Sequence, residues 1–139
     1  MRLVLNTTTV ISGLLWQGTP GRLIDAAQEK SITLCTSASL LAQLRGVLTR
    51  AKFARQLQAR ALNVIAVFDG YAALATIMSP ASIAATVIKD PSDDAVLACA
   101  LAAEADIIVS GDPHLRNLKT YHGMPIVEAT EAMRRIERV

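Results

Sequence analysis

Cysteine is nearly absent from this chain: Cys35 and Cys99 are the only two in 139 residues. They stand far apart and belong to no Cys/His spacing, which argues against a zinc site or a disulfide framework and makes a reducing, cytoplasmic setting the expectation. Long apolar runs are missing too. The most apolar stretch, residues 61–78, is interrupted by Asp69-Gly70 and followed by Pro80, so no membrane span is expected. The opening MRLVLNTTTV holds too short an apolar run for a signal peptide. There is no internal repeat, no low-complexity linker and no break in composition, so one domain over residues 1–139 is expected. Gly13, Gly18 and Gly21 do not form a phosphate loop, and no nucleophile elbow frames Ser110 ahead of Asp112 and His114, which argues against a hydrolase triad. Nor is there an excess of one charge: 14 Lys+Arg against 12 Asp+Glu leave +2, too little to predict a nucleic-acid partner.

What is present is apolar and ordered in blocks. Hydrophobic residues make up 52% of the chain, enough at this length for a core that needs no staples. Short runs at Leu3–Leu5, Ile32–Cys35, Thr76–Met78, Ile107–Val109 and Ile126-Val127 read as strands. Between them lie helical patterns at Thr9–Leu15, Pro20–Lys30, Ser39–Leu48, Phe53–Leu74 with a break near Asp69-Gly70, Asp94–Glu104, and from Thr130 onward. Strands without polar alternation, separated by helices, predict a central parallel sheet covered on both faces, a three-layer α/β/α sandwich. Cys35 and Cys99 sit in apolar runs and read as core, and Trp16 reads as core or interface filling rather than a base-stacking platform.

Ligands of such sheets bind beyond the carboxyl ends of the strands. Asn6-Thr7-Thr8-Thr9 follows the first strand, and Ser110-Gly111-Asp112-Pro113 follows Ile107–Val109. Asp90-Pro91-Ser92-Asp93-Asp94 precedes the Ala-rich helix. If the strands are parallel, Asn6 and Asp112 leave the sheet at one edge, and the helix opened by Asp94 can point there as well. Oxygen ligands without His or Cys suit Mg²⁺ or Mn²⁺ rather than zinc. The same residues read equally as helix caps: Asp112-Pro113 is a cap followed by Pro in the first turn, and Asp93 and Asp94 suit a helix N-terminus.

These residues together resemble the PIN-domain family, in its bacterial group of type II toxin–antitoxin toxins, over nearly the whole length. The opening resembles a strand ending in Asp-Thr-Asn, here Asn6-Thr7-Thr8, followed by Val10–Trp16, VISGLLW. Thr36–Phe53, TSASLLAQLRGVLTRAKF, resembles the second motif helix and its basic sequel. Asp90–Ala100, DPSDDAVLACA, and Val109–Asp112, VSGD, resemble the third and fourth motifs. The resemblance implies a parallel sheet between helices and an acidic site that binds Mg²⁺ or Mn²⁺ and cuts RNA. It also implies an antitoxin partner whose segment covers the cleft, and a homodimer. Its third and fourth acids fall on Asp94 and Asp112, and its Ser or Thr falls on Ser110. Its first Asp falls on Asn6, its Glu on Gln43 and its Asn on Thr8.

That departure has a physical meaning. Asn6 and Gln43 keep carbonyl oxygens of similar shape but no negative charge, and neither amide is a general base near neutral pH. Two of four expected anions are gone, so metal binding weakens and hydrolysis falls, with Asp93 and Asp90 offsetting the loss in part. The substrate side is carried by Lys30 to Phe68, which has no acidic residue but holds Lys30, Arg45, Arg50, Lys52, Arg55 and Arg60. Arg45, Arg50, Lys52 and Arg55 are the expected RNA contacts, with Lys89, His114 and Arg116 as further phosphate candidates. An ordinary solvated helix face is the plain alternative. Leu62 to Met78 is either core or dimer surface. Two functions follow: an impaired metal-dependent endoribonuclease toxin, or a non-catalytic module that holds RNA or antitoxin. A response-regulator-like phosphoacceptor domain would need an acid where Asn6 stands.

Overall fold

The β-branched and leucine-rich runs form strands that pair across long sequence distances. In the computed structural model, which describes residues 1–84 and 91–138, β1 (Arg2–Leu5) pairs in parallel with β2 (Thr33–Thr36) on one side and with β4 (Ile107–Val109) on the other. β3 (Thr76–Ile77) extends the sheet beyond β2. β6 (Met124–Val127) lies in parallel beside β4 and carries β5 (Thr120–Tyr121), the one antiparallel strand among the described residues. The strand order is β3-β2-β1-β4-β6-β5.

Helices connect the strands and cover both faces. They are α1 (Thr7–Leu15), α2 (Gly18–Gln28), α3 (Ala38–Leu48), α4 (Ala51–Ala59), α5 (Val64–Leu74), α6 (Pro91–Ala103), α7 (Pro113–Arg116) and α8 (Ala129–Glu137). Period-two alternation along the strands divides the core. Leu3, Leu5, Leu34, Ile107 and Val109 pack with Val10, Leu23, Leu44, Tyr71 and Met133. Val4, Cys35, Ile108 and Ile126 pack on the opposite face with Val96, Leu97, Cys99, Ala100 and Leu115. The mixed α/β layering with a mostly parallel central sheet is the arrangement expected from the strand and helix pattern.

One expectation shifts, and two alternatives left open by the sequence narrow. The helical tract breaks at residues 60–63 rather than at Asp69-Gly70. Ala61 takes the left-handed region at φ 55°, and its N–H and that of Leu62 return to Gln58 and Leu57, closing α4. Asn63 then caps α5, its Oδ1 accepting from the N–H groups of Ile65 (2.8 Å) and Ala66 (3.2 Å). Gly70 lies inside α5 with nothing within 4 Å of where a Cβ would stand. Trp16 is not core: it ends α1 and is 53% exposed. The apolar tract from Leu62 is core only on one side, through Tyr71 and Ala75, while Leu62, Ile65 and Ile77 face solvent.

Candidate functional site

From β1 the chain builds β2 and β3 to one side, then crosses to place β4 on the other. Neighbouring strand ends β1 and β4 therefore diverge into opposite connections, the switch point where α/β sheets leave a crevice. Leu5 is in register with Val109, and the Asn6 N–H donates to the Val109 carbonyl at 3.0 Å. The segments Asn6–Thr8 and Ser110–Asp112 thus leave the sheet together.

Asn6 is buried and committed on both sides of its amide. Its Oδ1 accepts from the N–H of Thr9 (3.1 Å) and from the Thr9 hydroxyl (2.5 Å), capping α1. Its Nδ2 donates to Ser110 Oγ at 3.0 Å, and that oxygen also accepts the Asp112 N–H at 2.9 Å. Both lone pairs of Ser110 are thereby used, and the fully buried hydroxyl ties the ends of β1 and β4 together. Gln43, on the inward side of α3, accepts from the Thr7 hydroxyl at 3.1 Å.

The first turn of α6 enters from the other side. A small cavity of about 70 Å³ is lined by Asn6, Thr7, Thr8, Gln43, Ser92, Asp93, Val96 and Asp112. Asp93 is buried here. Asp112 caps α7 through Oδ1, which accepts the His114 N–H at 2.8 Å and lies 3.4 Å from His114 Nδ1. One ligand atom each from Asp93, Asp112 and His114 falls within 4.8 Å of the others. Asp112 is therefore both a helix cap and a member of the cluster. Asp94 occupies the next position of α6, half-buried, and is not among the residues that line this cavity. Lys89 and Asp90 lie outside the described residues.

A larger groove of about 680 Å³ opens from the same threonines. It runs between α1, which contributes Ile11, Ser12 and Trp16, and the α3–α4 corner, which contributes Gly46, Val47, Arg50, Lys52 and Phe53. Thr7, Thr8, Gln43 and Ser92 line both groove and cavity. Of the four expected RNA contacts, Arg50 and Lys52 line the groove. Arg45 is an exposed residue of α3, and Arg55 turns its Nε back onto the Ala51 carbonyl at 3.4 Å. Two members take places other than those expected from sequence, where His114 reads as a phosphate contact and Trp16 as core or interface filling. His114 reaches Asp112 because Pro113 starts α7 immediately after the cap, and Trp16 reaches the groove because α1 ends there.

The donor set fits a divalent cation in part. Two carboxylates and one imidazole converge on a polar cavity, whereas the amides of Asn6 and Gln43 add no charge. His114 departs from the oxygen-only donor set expected from the sequence, and an imidazole does not by itself select Mg²⁺ or Mn²⁺ over zinc.

Comparisons with known proteins bear on the same segments. The family model described as "PIN domain" matches residues 2–114. No curated protein matches the chain by sequence. In fold it is similar to a chain of the solved structure described as VapBC2 from Rickettsia felis bound to a DNA fragment from their promoter. That likeness has a TM-score of 0.59 at 14% identity, and covers 91% of this chain and 97% of the other.

Proposed function

Because this chain belongs to the PIN-domain family, we propose that it is a toxin-type member that binds RNA at its cationic groove and cleaves phosphodiesters at the Asp93–Asp112–His114 cluster only weakly. The observation that carries this reading is the convergence of those three side chains at the β1/β4 switch point, beside Arg50 and Lys52. Asp93, Asp112 and His114 would hold the ion, which when bound supplies Lewis-acid polarisation of a phosphate oxygen and a more acidic water. Arg50 and Lys52 draw the phosphate backbone along the groove. Ser110 and Asn6 keep the ends of β1 and β4 together, so that Asp112 stays aimed at the cavity. No carboxylate stands at position 6 or 43 to take a proton from an attacking water, a role worth about 10²–10⁴ in rate.

A cognate antitoxin and a second copy of the chain are the proposed protein partners. Leu62, Ile65 and Ile77, exposed around α5 and edge strand β3, offer the apolar face for the second copy. Among the described residues no helix is long and apolar enough to cross a membrane. The second reading, a module that holds RNA or antitoxin without cutting, draws on Asn6 and Gln43, whose amides are both engaged in hydrogen bonds within the fold.

Cleavage of a mixed RNA pool with Mn²⁺ or Mg²⁺ tests the reading, comparing this chain with Asn6→Asp/Gln43→Glu. The double variant is expected to cut at least 10²-fold faster and to stop on chelation. Equal rates for the two proteins would remove the amides as the cause of impairment. Absence of cutting by both, with the metal bound and the fold intact, would favour the binding module.

A further inference from the structure

The groove beside the acidic cavity carries an aromatic surface that the cleavage chemistry does not use. Trp16 is the only tryptophan of the chain, and it stands 53% exposed at the end of α1. The Arg60 guanidinium lies 4.6 Å from the centroid of its ring, so one face is held by a cation and the side chain is anchored without being buried. Phe53, half-buried on the opposite wall, carries the Lys52 ammonium 5.5 Å from its ring centroid. Among the described residues lining the groove are two cations, Arg50 and Lys52, and no acid, while Ser12, Thr8 and Gln43 add hydrogen-bonding groups. Aromatic faces interleaved with Arg and Lys are the makeup of a surface that holds single-stranded nucleic acid, the bases stacking and the phosphates meeting cations. An apolar protein segment would not need the two cations, and a duplex would not expose its base faces.

We propose that this groove is a nucleobase subsite, in which an unpaired base of single-stranded RNA stacks on Trp16 between α1 and the α3–α4 corner while Arg50 and Lys52 hold the adjoining phosphates. This rests on the RNA reading above and adds to it the part of the substrate that is recognised. Thr7 and Trp16 are nine residues apart on α1, or about 14 Å along the helix axis. That exceeds the reach of the nucleotide at the cavity, so the stacked base flanks the cleaved linkage. The subsite therefore selects unpaired RNA and sets which linkage enters the cavity.

The single tryptophan makes the test direct. Oligouridylate and oligoadenylate are titrated, with chelator present to prevent cleavage, while Trp16 emission and affinity are followed. An oligomer of the same length bearing abasic riboses supplies the phosphates without the bases. The base-bearing oligomers are expected to quench Trp16 and the abasic oligomer to leave it unchanged. Trp16→Ala is expected to weaken binding of base-bearing RNA about 5- to 150-fold, the range for loss of one stacking platform, with Trp16→Phe retaining most of the affinity. Binding of the abasic oligomer should be the same in wild type and both variants. RNA that binds without quenching Trp16, and equally well to Trp16→Ala, would overturn the subsite and leave the RNA reading standing. Equal loss for abasic and base-bearing RNA would overturn it too, because Trp16 would then act through groove shape alone. If no oligomer binds the wild-type chain, the RNA reading fails and the subsite with it.

Discussion

At the residue scale, the cluster turns on which acid of α6 faces inward. Asp93 is buried beside Asp112, whereas Asp94 is half-exposed on the next position of the helix, some 100° further round. Asp93→Asn and Asp112→Asn are each expected to weaken Mn²⁺ binding by at least the 10- to 100-fold, roughly, that loss of a mere supporting partner costs. Asp94→Asn should change it little, and electron paramagnetic resonance of free Mn²⁺ would read all three. Adjacent acids in a helix N-terminus were legible as a group from composition and position. Which one turns inward was not, because it depends on the angle at which α6 meets the sheet, set by Val96, Leu97 and Ala100 in the core. From sequence His114 reads as a phosphate contact rather than a cluster member for a related reason: the way it turns onto Asp112 follows from a four-residue helix too short to leave a periodic signal. Asn6, by contrast, was placed correctly at a strand end by pattern alone.

At the element scale, the sharpest constraint is the contact between α1 and α2. A Cβ on Gly13 would come within 2.7 Å of Ile24 Cδ1 and 3.0 Å of the Pro20 carbonyl oxygen. The isoleucine can turn aside, but the backbone oxygen moves only if the helices separate. Gly13→Ala is therefore expected to destabilise the fold by about 1–3 kcal/mol. Gly70→Ala, a change of the same chemistry in the open on α5, should stabilise it by about 1 kcal/mol through helix propensity. Urea midpoints of the two variants check the opposite signs. The strands and most helices were legible because buried parallel strands are short apolar runs and because the apolar spacing of segments such as Ser39–Leu48 marks a helix face, though its cap at Ser37 was not read. The misplaced break in the α4–α5 tract shows the limit. A Gly in sequence looks like a helix end, yet here Ala61 closes the helix in the left-handed region, held by the backbone bonds to Leu57 and Gln58.

At the scale of the whole molecule, three buried acids of very weak kind make the fold sensitive to alkali. Burial pushes the Cys99 thiol up to about 12 and raises Cys35 and Tyr71 as well, with Arg2 opposing the shift at Cys35. Each group is held protonated in the native state above the pH at which the unfolded chain releases its proton. Their stabilisation is thus complete below about pH 9 and is lost progressively toward pH 12. For Cys99 alone the loss near pH 10.5 is on the order of 2 kcal/mol. Urea midpoints at pH 8 and pH 10.5 should show a steep fall that Cys99→Ala makes shallower, and equal slopes would remove Cys99 as a cause. The sandwich as a whole was readable from strand spacing, but the exposed α5–β3 edge was not, since core and interface residues share one composition. The seam that builds the site also sets when it exists. Asn6 and Ser110 are 104 positions apart in the chain, and the central strand pair closes that whole span in one step. During synthesis the first two motifs can meet each other through the β1–β2 pair and the Thr7–Gln43 hydrogen bond, but the crevice is completed only once Ser110 and Asp112 have emerged. Whatever enters this crevice can therefore do so only after both β1 and β4 have been made.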